Sequence, residues 1–241
     1  MRALPKLFAV MAMVLSAMLP TIGSANVVGT ANISDCAGGA VQFSAAAVRW
    51  LPATSATTGC VSTDIGTALV YSGGTIGAGV SGDIKNLTLP LVPGIDHFID
   101  IPAAPTAIDF LLSGFTTPSA TNASCAGLGV GQSCLLSSNL PLLLLQLAAG
   151  QVALELAEFG TVTDGVGNTD IWSGTLTVQL SGGGLTPLDI QNAINGGATI
   201  STSWSESITV TPADVTALPE PGSLALAALA IFWLGWVRRR A

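Results

Sequence analysis

Between residues 26 and 217, glycine or proline interrupts the chain every several residues. The apolar residues between the breaks recur at every second position, not every third or fourth. Spacing of two buries one face of a pleated strand, whereas a helix needs spacing of three and four. From Gln151 to Thr163, Val152, Leu154 and Leu156 fall on one side and Ala153, Glu155 and Ala157 on the other. A turn cluster follows at Asp164-Gly165-Val166-Gly167-Asn168. Alternation then resumes from Ile171 to Leu180 through Trp172, Leu176, Val178 and Leu180, which predicts a β-hairpin.

Thr186-Pro187 with Asp189 supplies an N-cap, a proline in the first turn and an early acid, and Gly196-Gly197 supplies a stop. The sequence therefore predicts a short helix over 187–195. A last strand is expected from Thr199 to Thr211, with Ile200, Thr202, Trp204, Glu206, Ile208 and Val210 on one face. The single charge on that face reads as partial burial. In the first half, 41–50, 67–71, 79–89, 97–101 and 107–112 have strand texture. Pro141 to Leu147, with four consecutive leucines, reads as a core strand or one helical turn, since so short an apolar run does not separate the two. The expected body is all-β, a sandwich or jelly roll of short antiparallel strands with one short helix, and no repeat period is evident.

The two ends differ from this body. Arg2 and Lys6 precede an apolar run from Leu7 to Leu19 and the small residues Gly23, Ser24 and Ala25, the layout of a signal peptide over residues 1–25. At the other end, Ser223 to Val237 is apolar and is followed by Arg238, Arg239 and Arg240. At about 1.5 Å per residue it is short of a hydrocarbon core of about 30 Å. Snorkelling arginines held on the cytoplasmic side would extend its reach, giving an expected transmembrane helix over about 223–237 with the 26–217 domain on the far side of the inner membrane.

Pro219-Glu220-Pro221, a short apolar helix and a terminal arginine cluster, in that order at the end of a chain with a signal peptide, resemble a PEP-CTERM sorting signal over 218–241. The resemblance implies a Gram-negative host that makes extracellular polysaccharide. It implies export by the general secretion machinery and recognition by exosortase, a membrane-embedded cysteine protease. Anchoring by the tail helix would precede processing near the Pro-Glu-Pro, and release to the cell surface or medium would follow it. A plain tail anchor is the alternative.

Once both ends are removed, the cations of residues 26–221 are Arg49 and Lys85 against all 14 acids, a formal charge of −12. Such a body has no basic cluster with which to displace phosphate counterions, which excludes nucleic acid as a partner. Cys36, Cys60, Cys125 and Cys134 are an even set in an exported chain, which reads as two disulfides. Local closure favours Cys36 with Cys60 and Cys125 with Cys134, and the absence of Cys-x-x-Cys spacing argues against zinc.

His97, the chain's one histidine, lies between Asp96 and Asp100, but no Gly-x-Ser-x-Gly elbow supplies a nucleophile for it. Glu155 with Glu158, or Asp96 with Asp100, are the nearest acid pairs for glycoside cleavage. Asp164, Asn168 and Asp170 crowd oxygens into one turn, a weak calcium candidate without the twelve-residue loop pattern. No cofactor or catalytic residue is assigned. The expectation is a non-enzymatic structural or adhesive component of a polysaccharide-rich envelope, with extracellular polysaccharide as a possible partner. The second reading is a carbohydrate-binding module using exposed Trp172 or Trp204, with the surface position of those rings as its test. A polysaccharide-acting hydrolase is third.

Overall fold

The computed structural model describes residues 26–137, 141–166 and 169–213. The signal segment, Pro219, Glu220, Pro221, the 223–237 segment, Arg238, Arg239, Arg240 and Asn168 lie outside the described residues. In chain order the strands are β1 (Val28–Asp35), β2 (Ala40–Phe43), β3 (Ala47–Leu51), β4 (Thr58–Thr63), β5 (Ala68–Tyr71), β6 (Gly74–Ile76), β7 (Ser81–Lys85) and β8 (Leu87–Thr88). Next come β9 (Ile95–Ile101), β10 (Ile108–Thr116), β11 (Ser133–Leu135), β12 (Leu143–Ala148), β13 (Gln151–Thr163) and β14 (Asp170–Ser181). The helix α1 (Pro187–Asn195) precedes β15 (Ile200–Thr202) and β16 (Trp204–Thr211).

The all-β expectation holds, but the main sheet is a closed barrel and not one half of a sandwich. Eight antiparallel strands run β1-β4-β7-β9-β10-β13-β14-β16 and return to β1. Closure depends on β13, which is 13 residues long and divides one edge between two partners. Its first half pairs with β12 and its second half with β10, where Phe110 faces Val162 and Leu112 faces Gly160. A long strand whose inward row is apolar but for Glu158 can serve both partners without slipping, because a one-residue shift would turn that row outward. Two further strands, β11 and β12, extend the sheet beyond β13, and β5 with β6 extends it beyond β1.

A second sheet, ordered β15-β2-β3-β8, packs into the same core. The 41–50 run is therefore a hairpin, with Ser44 Oγ accepting from the amides of Ala46 and Ala47. Trp50 of β3 reaches the barrel interior, with its ring edge-on to Phe98 at 5.9 Å and to Trp204 at 6.2 Å between centroids. Trp172 continues the cluster, stacked on Phe98 at 6.3 Å and edge-on to Phe110 at 5.8 Å. Rings in these arrangements gain about 1 kcal/mol per pair beyond the burial of their area. The expected 199–211 strand breaks at Ser203, so β15 belongs to the small sheet and β16 to the barrel.

The apolar side of the barrel strands faces inward, and the outer side of β1, β4, β14 and β16 is rich in serine and threonine. This is the reverse of an outer-membrane barrel, whose strands turn apolar residues to lipid. No described helix is long and apolar enough to cross a membrane. The helix forms where its signals predict. Thr186 Oγ1 accepts from the Asp189 amide, and Asp189 Oδ2 accepts from the Thr186 amide at 2.9 Å, while Ile190 and Ile194 enter the core. The leucine run is a core strand, β12, with Leu142 and Leu144 fully buried.

Both disulfides form as local closure suggests, Cys36 with Cys60 and Cys125 with Cys134, and no described cysteine is free. Paired cysteines fit an oxidising compartment, periplasmic or extracellular.

Candidate functional site

On the outer side of β1, β16 and β14, side chains align in rows fixed by strand register. Thr30, Thr209 and Ser173 form one row, Asn32, Ser207 and Thr175 the next, and Ser34, Ser205 and Thr177 the third. Neighbours across strands stand about 4.8 Å apart, and successive rows about 7 Å apart along the strands. The nine positions carry eight hydroxyls and one amide with no charge, and all are exposed or half-buried. Among the described residues, the β1 column ties polar groups back to the chain, where Thr30 Oγ1 donates to the Gly66 carbonyl and Asn32 Nδ2 to that of Ile65.

Three shallow grooves follow this grid. One of about 350 Å³ runs beside Asn32, Asp64, Ile65 and Thr177. A second of about 340 Å³ lies between Thr116, Ser173 and Thr209, and a third of about 230 Å³ between Thr177, Gln179 and Ser203. A face of this kind offers donors and acceptors at regular intervals to an uncharged, hydroxyl-rich partner. The sequence holds a period-two signal for it, the serines and threonines at 173, 175, 177, 205, 207 and 209, which becomes a grid only once the register of β14 against β16 is known.

Trp172 and Trp204, the rings expected to stack on sugar, are 0% and 4% exposed. Trp172 Nε1 donates to the Leu111 carbonyl at 2.9 Å inside the barrel. This corrects the aromatic-platform expectation: both rings gain more from burial in the core than from the surface, Trp172 with its Nε1 satisfied and Trp204 with its Nε1 buried without a hydrogen-bond partner.

His97 sits at φ 50° in an irregular stretch of β9, with its side chain 62% exposed, and its Nδ1 lies 2.9 Å from Asp109 Oδ2. Its carboxylate partner is thus neither Asp96 nor Asp100. Cross-strand register places Asp83, Asp100 and Asp109 side by side on three adjacent strands. Partial burial raises the Asp109 carboxyl above its ordinary value, His97 opposes that shift, and Asp100 and Asp96 reinforce it.

Glu155 and Glu158 occupy opposite faces of β13, so they do not converge. Glu158 turns inward with Glu206 of β16, and the two are 1% and 2% exposed. This corrects the reading that the Trp204–Val210 face is partly buried, since Trp204, Glu206, Ile208 and Val210 are all inside. All four carboxylate oxygens of the pair are buried without a hydrogen-bond partner. Loss of water raises both carboxyls, Glu206 to about 8, and repulsion from Glu206 raises Glu158 further.

The turn acids act as hydrogen-bond acceptors for the backbone. Asp164 Oδ2 accepts from the Ser72 amide at 2.8 Å and Oδ1 from Val166 at 3.1 Å. Asp170 Oδ2 accepts from Val27 at 2.7 Å and Oδ1 from Ala213 at 3.3 Å. Among the described residues, no group of three or more His, Cys, Asp or Glu side chains is placed to hold a metal ion.

Compared with protein-family models, curated proteins and solved structures, the chain matches none.

Proposed function

We propose that this chain is an exported structural or adhesive component of a polysaccharide-rich envelope, routed by a PEP-CTERM-like tail, and that the hydroxyl grid on β1, β16 and β14 is the face that meets the polymer. The observation that carries the reading is an ordered, uncharged hydrogen-bonding surface, followed by three grooves, on a body of charge −12. Self-repulsion keeps such a body soluble and away from anionic surfaces, so an uncharged face is where it can adhere to a neutral polyhydroxylated chain. The aspartate row on β7, β9 and β10 lies apart from this face. The tail supplies routing only, through exosortase and transient insertion of the 223–237 segment in the inner membrane.

The test is co-sedimentation of the disulfide-bonded protein with the host's own extracellular polysaccharide. The variant carrying Thr175→Val, Ser205→Ala and Ser207→Ala keeps strand propensity but removes three central hydroxyls. At least tenfold weaker retention is expected, and unchanged retention would overturn the assignment of the face.

A further inference from the structure

We propose that Glu158 and Glu206 form a proton-binding pair inside the barrel, so that the closed barrel holds protons which the open chain releases. Glu158 of β13 lies directly across from Gly174 of β14, Gly174 lies across from Ile208 of β16, and Glu206 is the next inward residue along β16. A methyl group on Gly174 would overlap Glu206 Oε1 and lie 3.1 Å from the Trp172 ring, so the glycine is the space the carboxyl occupies. Both side chains are more than nine-tenths buried, and none of their four oxygens accepts a hydrogen bond from the protein.

The groups that face the pair are apolar. They are Leu156 on β13, Trp172 and Leu176 on β14, Ile208 on β16, Ile33 directly across from Glu206 on β1, and Phe115 directly across from Glu158 on β10. Of the charged residues on these strands, Glu155 and Asp109 lie on the outer side, Asp35 sits at the end of β1, and Asp170 is held by two backbone amides at the start of β14. No lysine, arginine or histidine faces the pair, so no cation of the described protein can neutralise it.

An ionised carboxylate buried without a counter-ion is so unfavourable that the group takes a proton instead. The step is simple addition: a carboxylate oxygen forms an O–H bond with a proton from solvent, and the charge of that carboxylate is lost. A bound divalent cation is the competing occupant. Two carboxylates offer four oxygens at most, calcium takes six to eight, and the surrounding side chains add none.

The sign follows from the direction of the shift. Folded values lie above the ordinary glutamate value of about 4.3, so the folded state binds more protons than the unfolded state between there and about 8 for Glu206. Stability from this source is full below about pH 4 and is lost as pH rises through that window. The unfolding constant should rise about tenfold per pH unit for each carboxyl that stays protonated when folded.

The experiment is denaturant unfolding of the disulfide-bonded full chain from pH 5 to 9, beside the Glu158→Gln, Glu206→Gln double variant. The expected result is a stability that falls with pH in the wild type and a shallower fall in the variant. Equal slopes would overturn the proposal. If the variant does not fold, infrared spectra of the wild type labelled with ¹³C-glutamate decide. A protonated carboxyl band at pH 7 that vanishes on unfolding supports the pair, and its absence refutes it. Calcium chloride alone, if it raises the wild-type midpoint and leaves that of the variant unmoved, identifies a cation site and also overturns the proposal.

Discussion

Gly160 of β13 lies directly across from Trp172 of β14, and its missing side chain is the passage through which Trp172 Nε1 reaches the Leu111 carbonyl. A methyl group at position 160 would overlap that carbonyl and stand 2.7 Å from the indole nitrogen. Gly160→Ala should therefore displace the ring at the centre of the aromatic cluster and strand its buried N–H. A loss of about 3 kcal/mol is expected in denaturant unfolding, from overpacking and the broken bond together. A loss under about 0.5 kcal/mol would mean that the ring has another place to go.

Removing a disulfide should cost more for the longer loop. Cys36–Cys60 spans 24 residues and Cys125–Cys134 spans 9. Chain-entropy reasoning gives about 3.4 and about 2.6 kcal/mol respectively. Paired cysteine-to-alanine variants, each compared with the oxidised protein, check both the size and the order.

Asp170 joins the two ends of the described body, accepting from Val27 before β1 and from Ala213 after β16. Asp170→Ala leaves those amides unpaired and should lose about 2 to 3 kcal/mol, with faster hydrogen exchange at Val27. Because Asp164 and Asp170 already accept from backbone amides, calcium and a chelator should leave the wild-type unfolding midpoint unchanged. A rise on adding calcium that persists in the Glu158→Gln, Glu206→Gln variant would restore the metal reading of this turn.

On the outer surface, Asp100 stands between Asp83 and Asp109 across three strands. Like charges directly opposite one another are unfavourable, so Asp100→Asn should stabilise the fold by about 0.5 kcal/mol. The gain should shrink in high salt, where the repulsion is already screened. A salt-independent gain would point to the new amide's hydrogen bonds instead.

What was legible in the sequence follows the range of the interaction that fixes each element. The β13–β14 hairpin and α1 carry their own information, in period-two spacing over a dozen residues and in the Thr186–Asp189 capping box. The barrel does not. Its closure is the pairing of 109–116 with 157–163, about 50 residues away, and nothing local separates it from the facing sheets of a sandwich. The strands β1 and β4 leave no clear local signal because polar residues and glycines dilute their alternation. Glu206 misled the reading of its face because a charge normally marks solvent, and its burial depends on a glycine on a different strand. The hydroxyl grid was hidden in plain composition, since serine and threonine at alternate positions also suit any exposed strand.

The most direct test of the account is the intact mass of the protein recovered from membrane, surface and medium fractions of its own host, with and without reduction and alkylation. The account predicts a surface or medium product that begins near Asn26, ends near Pro219 to Gly222 and is four hydrogens lighter than its reduced form. A product that keeps the 223–237 segment in the membrane fraction and reacts with alkylating reagent before reduction would contradict it.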